Sequence, residues 1–380
     1  MKIVVDCRYV RFPRHDGISR FTAELVGAMR SLPLADGESL ELLISDERQL
    51  SMLPAGLPWH RVSGPTSPRE PFVALQVNRV RPDVVFSPMQ AMGSWGRRYP
   101  LVLTLHDLIY YAHPTPPRDL PWPVRLGWRV FHWALWPQRL LLNRADAIVT
   151  VSSTTRDLMR QHRLTNRSIT VVHNAAARPE AVAPRTRPEN IELVYMGSFM
   201  PYKGVDTLVA ALHRLPRARL HLLSRIRPAD RARFEAAAPS GSLVCHDGVS
   251  DDEYAALLDT ATALMTASRD EGFGIPLVEA MGRGTPIVVS DIPIFREIGG
   301  ETALYAGVGD AAAFAARITE LLAPGEWERR SAASPTEALR FDWGLSAAAL
   351  LTLLREQAVA HARPDRQPPR LTRGGSKLHQ

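Results

Sequence analysis

Cysteine is almost absent from this sequence, which has only Cys7 and Cys245 among its 380 residues. The two lie far apart, and neither belongs to a pair at the spacing typical of metal ligands. This scarcity argues against a disulfide-stabilised secreted scaffold and against a cysteine-based zinc site. We therefore expect a reduced, cytoplasmic chain.

Long apolar segments are also lacking. No uninterrupted hydrophobic run approaches the roughly 20 residues that a membrane-spanning helix needs. The first six residues, Met-Lys-Ile-Val-Val-Asp, have the pattern of a β-strand, without the apolar core and small-residue cleavage site of a signal peptide. We expect any membrane contact to be peripheral, at the inner face of the cell membrane.

Several recognisable motifs are missing as well. No Gly-x-Gly-x-x-Gly pattern follows the first strand, so a dinucleotide cofactor is not indicated. The net charge of +7 is compatible with nucleic acid, an anionic membrane or phosphorylated substrates. None of the usual nucleic-acid-binding modules is present, and we expect no nucleic-acid partner. Residues 250–253, Ser-Asp-Asp-Glu, could suggest a metal site, but their spacing ahead of a helical run favours a capping box.

Strand and helix patterns alternate through both halves of a chain that is too long for one typical core. This alternation predicts an α/β protein with two doubly wound parallel sheets facing each other across a cleft. We predict an N-terminal domain over 1–175, a proline-containing linker over 176–189, a C-terminal domain over 190–344, a helix over 345–360 that crosses back to the N-terminal domain, and a disordered basic tail over 361–380.

One stretch, residues 269–281, combines two glutamates with a glycine-containing turn. Pro276 suits the first position of a helix, so we predict a loop over 272–275 and helical turns from Leu277. The loop would let Glu271 and Glu279 face one cleft. The start of the helix favours an anionic group, and carboxylates on either side can bind sugar hydroxyls.

This stretch, continued through Asp291, resembles the donor-site signature of the retaining GT-B glycosyltransferases of family 4, which include many bacterial mannosyl- and glucosyltransferases. The resemblance covers about residues 1–358. It implies the GT-B fold, with two Rossmann-like domains, and a nucleotide diphosphate sugar as donor substrate. No cofactor and no metal are implied.

The resemblance also implies roles for individual residues. Glu279 would hold the ribose hydroxyls, and Glu271 with the backbone of Gly272, Phe273, Gly274 and Ile275 would orient the sugar. His106, which follows a buried strand and precedes Asp107, matches the family's histidine near the transferred sugar. Gly17 resembles the glycine loop that lies against the diphosphate. Because Gly17 and His106 belong to the predicted N-terminal domain, we expect catalysis to require domain closure.

A second cationic element is predicted at Lys203, which follows a strand and a glycine turn and precedes a helix. A lysine in that place can offer a point charge to a diphosphate. The family commonly has an arginine where this chain has Ser198, so this position cannot supply a cationic contact to the phosphate. Arg225, after the next strand, is the candidate substitute.

Within residues 115–144, four tryptophans are interleaved with Arg125, Arg129, Arg139 and Arg144, and apolar residues recur at helical spacing. One interpretation is a helix packed on the first domain. The other is a helix that lies against an anionic bilayer or grips a lipid-linked acceptor.

Our functional hypothesis is a retaining, metal-independent transferase that moves a hexose from a nucleotide sugar to a hydroxyl of a glycan or lipid-linked acceptor. GDP-mannose is the first guess, since the His106-Asp107-Leu108 and Glu-Gly-Phe-Gly patterns resemble those of mannosyltransferases. A nucleotide-sugar epimerase of the same fold and a non-catalytic scaffold in a polysaccharide assembly complex are the alternatives. A two-carboxylate glycosidase is disfavoured, because a hydrolase has no use for the helix-start anion site and Lys203.

Overall fold

A computed structural model describes residues 1–13, 15–114, 122–177, 179 and 183–362. Most of the predicted basic tail and the opening of the 115–144 segment lie outside these residues. The described residues divide into two compact units, one built from those of 1–103, 144–147 and 349–362, the other from those of 104–143 and 148–348. The domain boundaries given above stay a prediction.

The first sheet has seven strands in the order β3-β2-β1-β4-β5-β6-β7. Its strands are β1 (Lys2–Asp6), β2 (Ser39–Ile44), β3 (Trp59–Arg61), β4 (Val84–Ser87), β5 (Leu101–Leu105), β6 (Ala147–Thr150) and β7 (Ser168–Val171). The helices of this half are α1 (Gly17–Ser31), α2 (Val73–Val77), α3 (Ile109–Ala112), α4 (Trp122–Trp133), α5 (Trp136–Asn143) and α6 (Ser153–Gln161).

The second sheet has six strands in the order β10-β9-β8-β11-β12-β13. They are β8 (Ile191–Tyr195), β9 (Ala218–Leu222), β10 (Leu243–Cys245), β11 (Ala263–Thr266), β12 (Ile287–Ser290) and β13 (Leu304–Ala306). The helices are α7 (Val205–Ala211), α8 (Pro228–Ala237), α9 (Asp251–Thr260), α10 (Ile275–Gly282), α11 (Pro293–Gly299), α12 (Ala311–Leu321), α13 (Glu326–Ala338) and α14 (Trp343–Ala362).

The strand order explains where a site can form. Strand β11 lies beside β8 in parallel register, with Leu264 opposite Val194. All residues of β11 are buried, as expected for a parallel strand covered on both faces. The loops that follow β8 and β11 therefore leave the same edge of the sheet, which is the edge where open α/β sheets bind ligands.

Local patterns were predicted with unequal success. The capping box is confirmed, because the Ser250 side chain accepts from the backbone of Glu253 and the Glu253 side chain accepts from the backbone of Ser250. Several elements were not predicted, namely α2, α3, α8, β13, the strand β3 in a proline-rich stretch, and α13, which contains Pro335. The last helix begins at Trp343 and continues to Ala362, two residues beyond each predicted end.

A buried ionic cluster joins three segments of the first unit. The Arg8 guanidinium lies 2.8 Å from Asp6 and 2.6 Å from Glu70, and it also donates to the carbonyl of Ser63 at 2.9 Å. Ser87 donates to the second oxygen of Asp6 at 3.1 Å. The Arg8 and Asp6 side chains are fully buried. The charges of Arg8 and Asp6 therefore depend on their partners for compensation, since water does not reach these two side chains.

Arg8→Ala should lower the free energy of unfolding by about 3 to 5 kcal/mol, because it leaves the carboxylates of Asp6 and Glu70 without their partner. Urea denaturation followed by circular dichroism measures the loss. Arg48→Ala is the matched control, since it removes an exposed arginine that pairs with Asp46. The control should leave stability essentially unchanged. An equal effect of both substitutions would show that burial does not govern this cluster.

Candidate functional site

The loop after β11 leads into α10 through a tight glycine turn. Gly274 has φ +109°, a left-handed conformation that favours glycine, and it is the N-cap residue directly before α10. The helix starts at Ile275, so Pro276 occupies its second position, whereas we predicted the first. A helix start tolerates proline at either place, because the first N–H groups have no partner within the helix.

Lys203 and Glu271 meet at the centre of this site. The Lys203 Nζ donates to Glu271 Oε1 at 2.5 Å, and the Ser268 hydroxyl donates to the same oxygen at 2.8 Å. Both charged side chains are largely buried, with 16% and 14% exposure. Two residues predicted independently, one for the diphosphate and one for the sugar, are thus in direct contact.

The backbones of the two loops are also joined. Arg269 N–H donates to the carbonyl of Tyr202 at 2.8 Å. A Cβ atom on Gly204 would lie only 2.2 Å from the carbonyl oxygen of Ala267, so glycine is required for this close approach. Lys203 is therefore held against the β11–α10 loop by the backbone of its two neighbours, Tyr202 and Gly204.

The His106-Asp107 segment, which follows β5, lies against the same glycine loop. A Cβ atom on Gly272 would come within 2.9 Å of both the His106 carbonyl oxygen and the Asp107 Cβ. The His106 carbonyl also accepts a hydrogen bond from Thr155 at 3.4 Å. The predicted residues His106, Gly272, Glu271 and Lys203 therefore belong to one cluster within the second unit.

Asp107 has an unusual electrostatic environment. Removal from water, the largest influence, raises the pKa of Asp107 to about 6, and the nearby carboxylates of Glu271 and Asp270 act in the same direction. The backbone N–H of Ile109, which donates to Asp107 at 3.0 Å, and the Lys203 ammonium oppose the increase. A carboxyl group with this pKa exchanges protons near neutral pH.

The remaining predicted donor residues have different surroundings. The Phe273 side chain is only 3% exposed and packs against Phe341, with ring centroids 5.4 Å apart. Its side chain therefore packs inside the protein and supports the loop. Glu279 is partly buried on α10, four residues after Ile275.

Arg225 and Ser198 lie around the glycine turn that follows β8. Ser224 accepts a hydrogen bond from Gly197 N–H at 3.1 Å, so the loop that carries Arg225 touches this turn. Arg225 itself is exposed, and its stem lies beside Gly248. The Ser198 carbonyl accepts from the Tyr195 hydroxyl at 2.6 Å.

Gly17 belongs to the first unit, where it is the first residue of α1. The preceding residue, Asp16, caps the helix by accepting from Ser19 N–H at 2.8 Å. A Cβ atom on Gly17 would meet nothing within 4 Å. Neither the backbone conformation nor the space around Gly17 requires a glycine here.

Three residues that sequence reasoning missed surround the Lys203–Glu271 pair. His113 donates to Asp270 and stacks on Tyr202, and these two residues directly precede Glu271 and Lys203. Their adjacency to predicted site residues was the only signal in the sequence for Tyr202 and Asp270. No motif or residue spacing in the sequence indicated that His113 belongs to the site.

The structure exposes several large apolar side chains of α4 and α5. The exposed fractions are 75% for Trp122, 57% for Leu126, 87% for Trp133, 64% for Trp136 and 56% for Leu140. Within the described ranges, no helix is long and apolar enough to cross a membrane. In the same part of the chain, no group of three or more histidine, cysteine, aspartate or glutamate side chains is arranged to hold a metal ion.

Two family models match the chain. The model described as Glycosyltransferase Family 4 matches residues 16–176, and the model described as Glycosyl transferases group 1 matches residues 190–324. Together these ranges contain the His106 segment, Lys203 and the loop from Glu271 to Glu279.

Two curated relatives are similar over much of the chain. The glycogen synthase of Mycobacterium tuberculosis is 32% identical over 247 residues, which cover 61% of this chain and 58% of the relative. The MMP alpha-(1->4)-mannosyltransferase of Mycolicibacterium hassiacum is 30% identical over 280 residues, which cover 69% of this chain and 66% of the relative. The chain thus spans less than two thirds of the length of these relatives.

Solved structures share the fold. Sucrose-phosphate synthase from Thermosynechococcus elongatus has a TM-score of 0.73 at 19% identity, covering 94% of this chain and 99% of that chain. Anabaena Alr3699/HepE in complex with UDP and glucose has a TM-score of 0.69 at 17% identity, covering 94% and 100%. With a parallel α/β sheet in each half, these similarities confirm the predicted GT-B fold class.

Asp107→Asn should make stability less dependent on pH. A carboxyl whose folded pKa is raised from about 4 to about 6 binds more protons in the folded state, so it reduces stability as pH rises through that window. The variant keeps an oxygen that can accept from Ile109. Its free energy of unfolding should therefore gain about 2 kcal/mol over the wild type between pH 4 and pH 7.

Urea titrations at several pH values measure this difference. The exposed Asp157→Asn variant is the control and should follow the wild-type pH dependence. A constant difference between Asp107→Asn and wild type across the pH range would contradict the raised pKa.

Proposed function

Since this chain belongs to glycosyltransferase family 4, we propose that it is a retaining, metal-independent hexosyltransferase that uses a nucleotide diphosphate sugar. The observation that carries the proposal is the contact between Lys203 and Glu271 at 2.5 Å. A diphosphate bound by this lysine would leave its sugar beside this carboxylate. The acceptor would be a hydroxyl group of a glycan or of a lipid-linked saccharide.

Departure of the diphosphate is the step that needs electrostatic help. Negative charge grows on the leaving oxygen as the bond to the sugar breaks. The Lys203 ammonium and the positive end of the α10 dipole, at Ile275, would stabilise that charge. Since Lys203 is largely buried, its charge is only weakly screened by water and acts strongly on a neighbouring phosphate.

The two glutamates would have different tasks. Glu271 accepts from Lys203 and Ser268 through one oxygen, Oε1. A sugar hydroxyl would bind at this carboxylate, with the Gly272–Ile275 backbone and the His106 segment on its other sides. Glu279, on α10, would accept from the ribose hydroxyls and so place the nucleotide. Arg225 and Gly17 are the additional residues proposed to approach the diphosphate.

For the donor we propose GDP-mannose first. The mannosyltransferase of Mycolicibacterium hassiacum among the relatives supports a mannosyl donor. The Anabaena protein that shares the fold was solved with UDP and glucose, so UDP-glucose is the comparison to make.

Thermal-shift measurements with GDP, UDP and ADP, followed by their sugars, identify the donor. The matching nucleotide sugar should raise the melting temperature and should be turned over when a membrane extract supplies acceptors. Glu279→Ala should lower kcat/KM about 10- to 100-fold, because a charged hydrogen-bond acceptor worth about 1.5 to 3 kcal/mol is lost. Glu235→Ala, an exposed residue of α8, is the control.

Retention is checked by determining the anomeric configuration of the product, and metal independence by adding EDTA. Product from donor alone would favour an epimerase. Absence of turnover with every donor, or unchanged turnover in Glu279→Ala, would contradict the transferase.

We further propose that the segment 115–144 contacts an anionic membrane surface. Its α4 and α5 helices expose Trp122, Trp133 and Trp136 to water, an arrangement that tryptophan adopts favourably at a bilayer interface. Arg129 and Arg139 are exposed on the same two helices and would attract anionic headgroups. The exposure of these apolar side chains supports the surface interpretation over a packed core helix.

Vesicle sedimentation tests this contact. The protein should bind vesicles that contain phosphatidylglycerol and should bind pure phosphatidylcholine much more weakly. Replacing Trp122, Trp133 and Trp136 together by serine should reduce binding at least about tenfold, since each buried aromatic contributes more than 1 kcal/mol. Trp59→Ser, which removes an exposed tryptophan elsewhere, is the control. Equal binding by the triple variant and the control would contradict the proposal.

A further inference from the structure

His113 touches both loops that carry the charged pair. It follows α3, and its Nε2 lies 2.5 Å from Asp270 Oδ2, which accepts the hydrogen bond. Its ring stacks on Tyr202, with centroids 5.3 Å apart and an interplanar angle of 21°. Asp270 directly precedes Glu271, and Tyr202 directly precedes Lys203. One side chain from a third segment is therefore one residue away from both charged members of the site.

The contacts of His113 differ in kind from the Lys203–Glu271 contact. If Lys203 binds a diphosphate, it must share its three N–H groups between phosphate and Glu271, which weakens its hold on the carboxylate. The hydrogen bond to Asp270 and the stacking on Tyr202 involve no atom of Lys203 or Glu271. They can therefore persist when a donor is bound. They hold the two loops in the same relative position while the Lys203–Glu271 contact changes.

The hydrogen bond also limits competition for Lys203. Asp107, Asp270 and Glu271 are close enough for the last two to raise the pKa of the first. An Asp270 carboxylate without a donor would attract the Lys203 ammonium away from Glu271 and from phosphate. The N–H of His113 binds Asp270 Oδ2 and holds this carboxylate beside α3.

We propose that His113 is a positioning residue of the transferase site, which clamps the Tyr202–Lys203 and Asp270–Glu271 loops together through Asp270 and Tyr202. His113 itself touches neither Lys203 nor Glu271. Its role rests on the proposed function, but the clamp is a physical property that can be measured without any substrate.

Hydrogen exchange tests the clamp directly on the full-length protein. In His113→Ala, the amides of residues 197–204 and 267–274 should exchange at least about tenfold faster, including that of Arg269, which donates to Tyr202. His213→Ala is the control, because that ring hydrogen-bonds to the Ala237 carbonyl, which belongs to neither loop. Unchanged exchange in both loops would overturn the proposal, whatever the protein's activity.

Kinetics then separate positioning from bulk structure. His113→Ala should lower kcat about 10- to 100-fold while the KM for the acceptor stays within twofold. His113→Gln keeps an N–H that can reach Asp270 and should restore most of the turnover, whereas His113→Phe keeps only the stacking and should restore little. A changed acceptor KM with unchanged kcat would overturn the proposal in favour of a direct acceptor contact.

A double-mutant cycle with Asp270→Ala completes the test. If His113 acts through Asp270, the double variant should be no slower than the slower single variant, since each change removes the same contact. If the rate of the double variant fell by the product of the two single losses, the residues would act separately, and the clamp would be overturned. If wild-type protein turns over no donor, the transferase fails, while the exchange experiment still decides the clamp.

Discussion

The contact between Lys203 and Glu271 is the interaction on which this site depends. It joins two loops that are almost 70 positions apart in the chain and that leave neighbouring strands at one edge of the second sheet. The contact is possible only because the backbones approach closely, which Gly204 permits beside Ala267. The charged pair, Gly204 and the pairing of β8 with β11 therefore depend on one another. A change to any of them would displace both Lys203 and Glu271.

The two units handle buried charge in opposite ways. In the first, the Arg8 guanidinium satisfies Asp6 and Glu70, so the cluster is closed and serves the packing of three segments. In the second, removal from water raises the pKa of Asp107, and the nearby carboxylates of Glu271 and Asp270 add to the increase. Closed networks are stable and chemically inert, whereas an uncompensated cluster can respond to a ligand that brings its own charge.

The sequence predicted those features that arise from local rules. The buried apolar strands, the capping box at Ser250 and the glycine turns each have a pattern within a few residues. Lys203 and Glu271 were each assigned to the donor site, but their direct contact was not predicted. Helix α13 was missed because proline is ordinarily excluded from helix interiors, and Pro335 lies inside it. His113 was missed for a different reason, since its partner Asp270 is 157 positions away and only folding brings them together.

The packing of Phe273 determines when, during synthesis of the chain, the glycine loop can reach its final structure. Its ring packs against His173 at 6.1 Å and against Phe341 at 5.4 Å, and these three aromatic residues come from widely separated parts of the chain. The ring of Phe341 also meets His173 at 5.5 Å, edge to face. During synthesis on a ribosome, the loop cannot reach its final packing until residue 341 has emerged. A nascent chain that already contains both charged loops would therefore still lack part of the packing that supports its glycine loop.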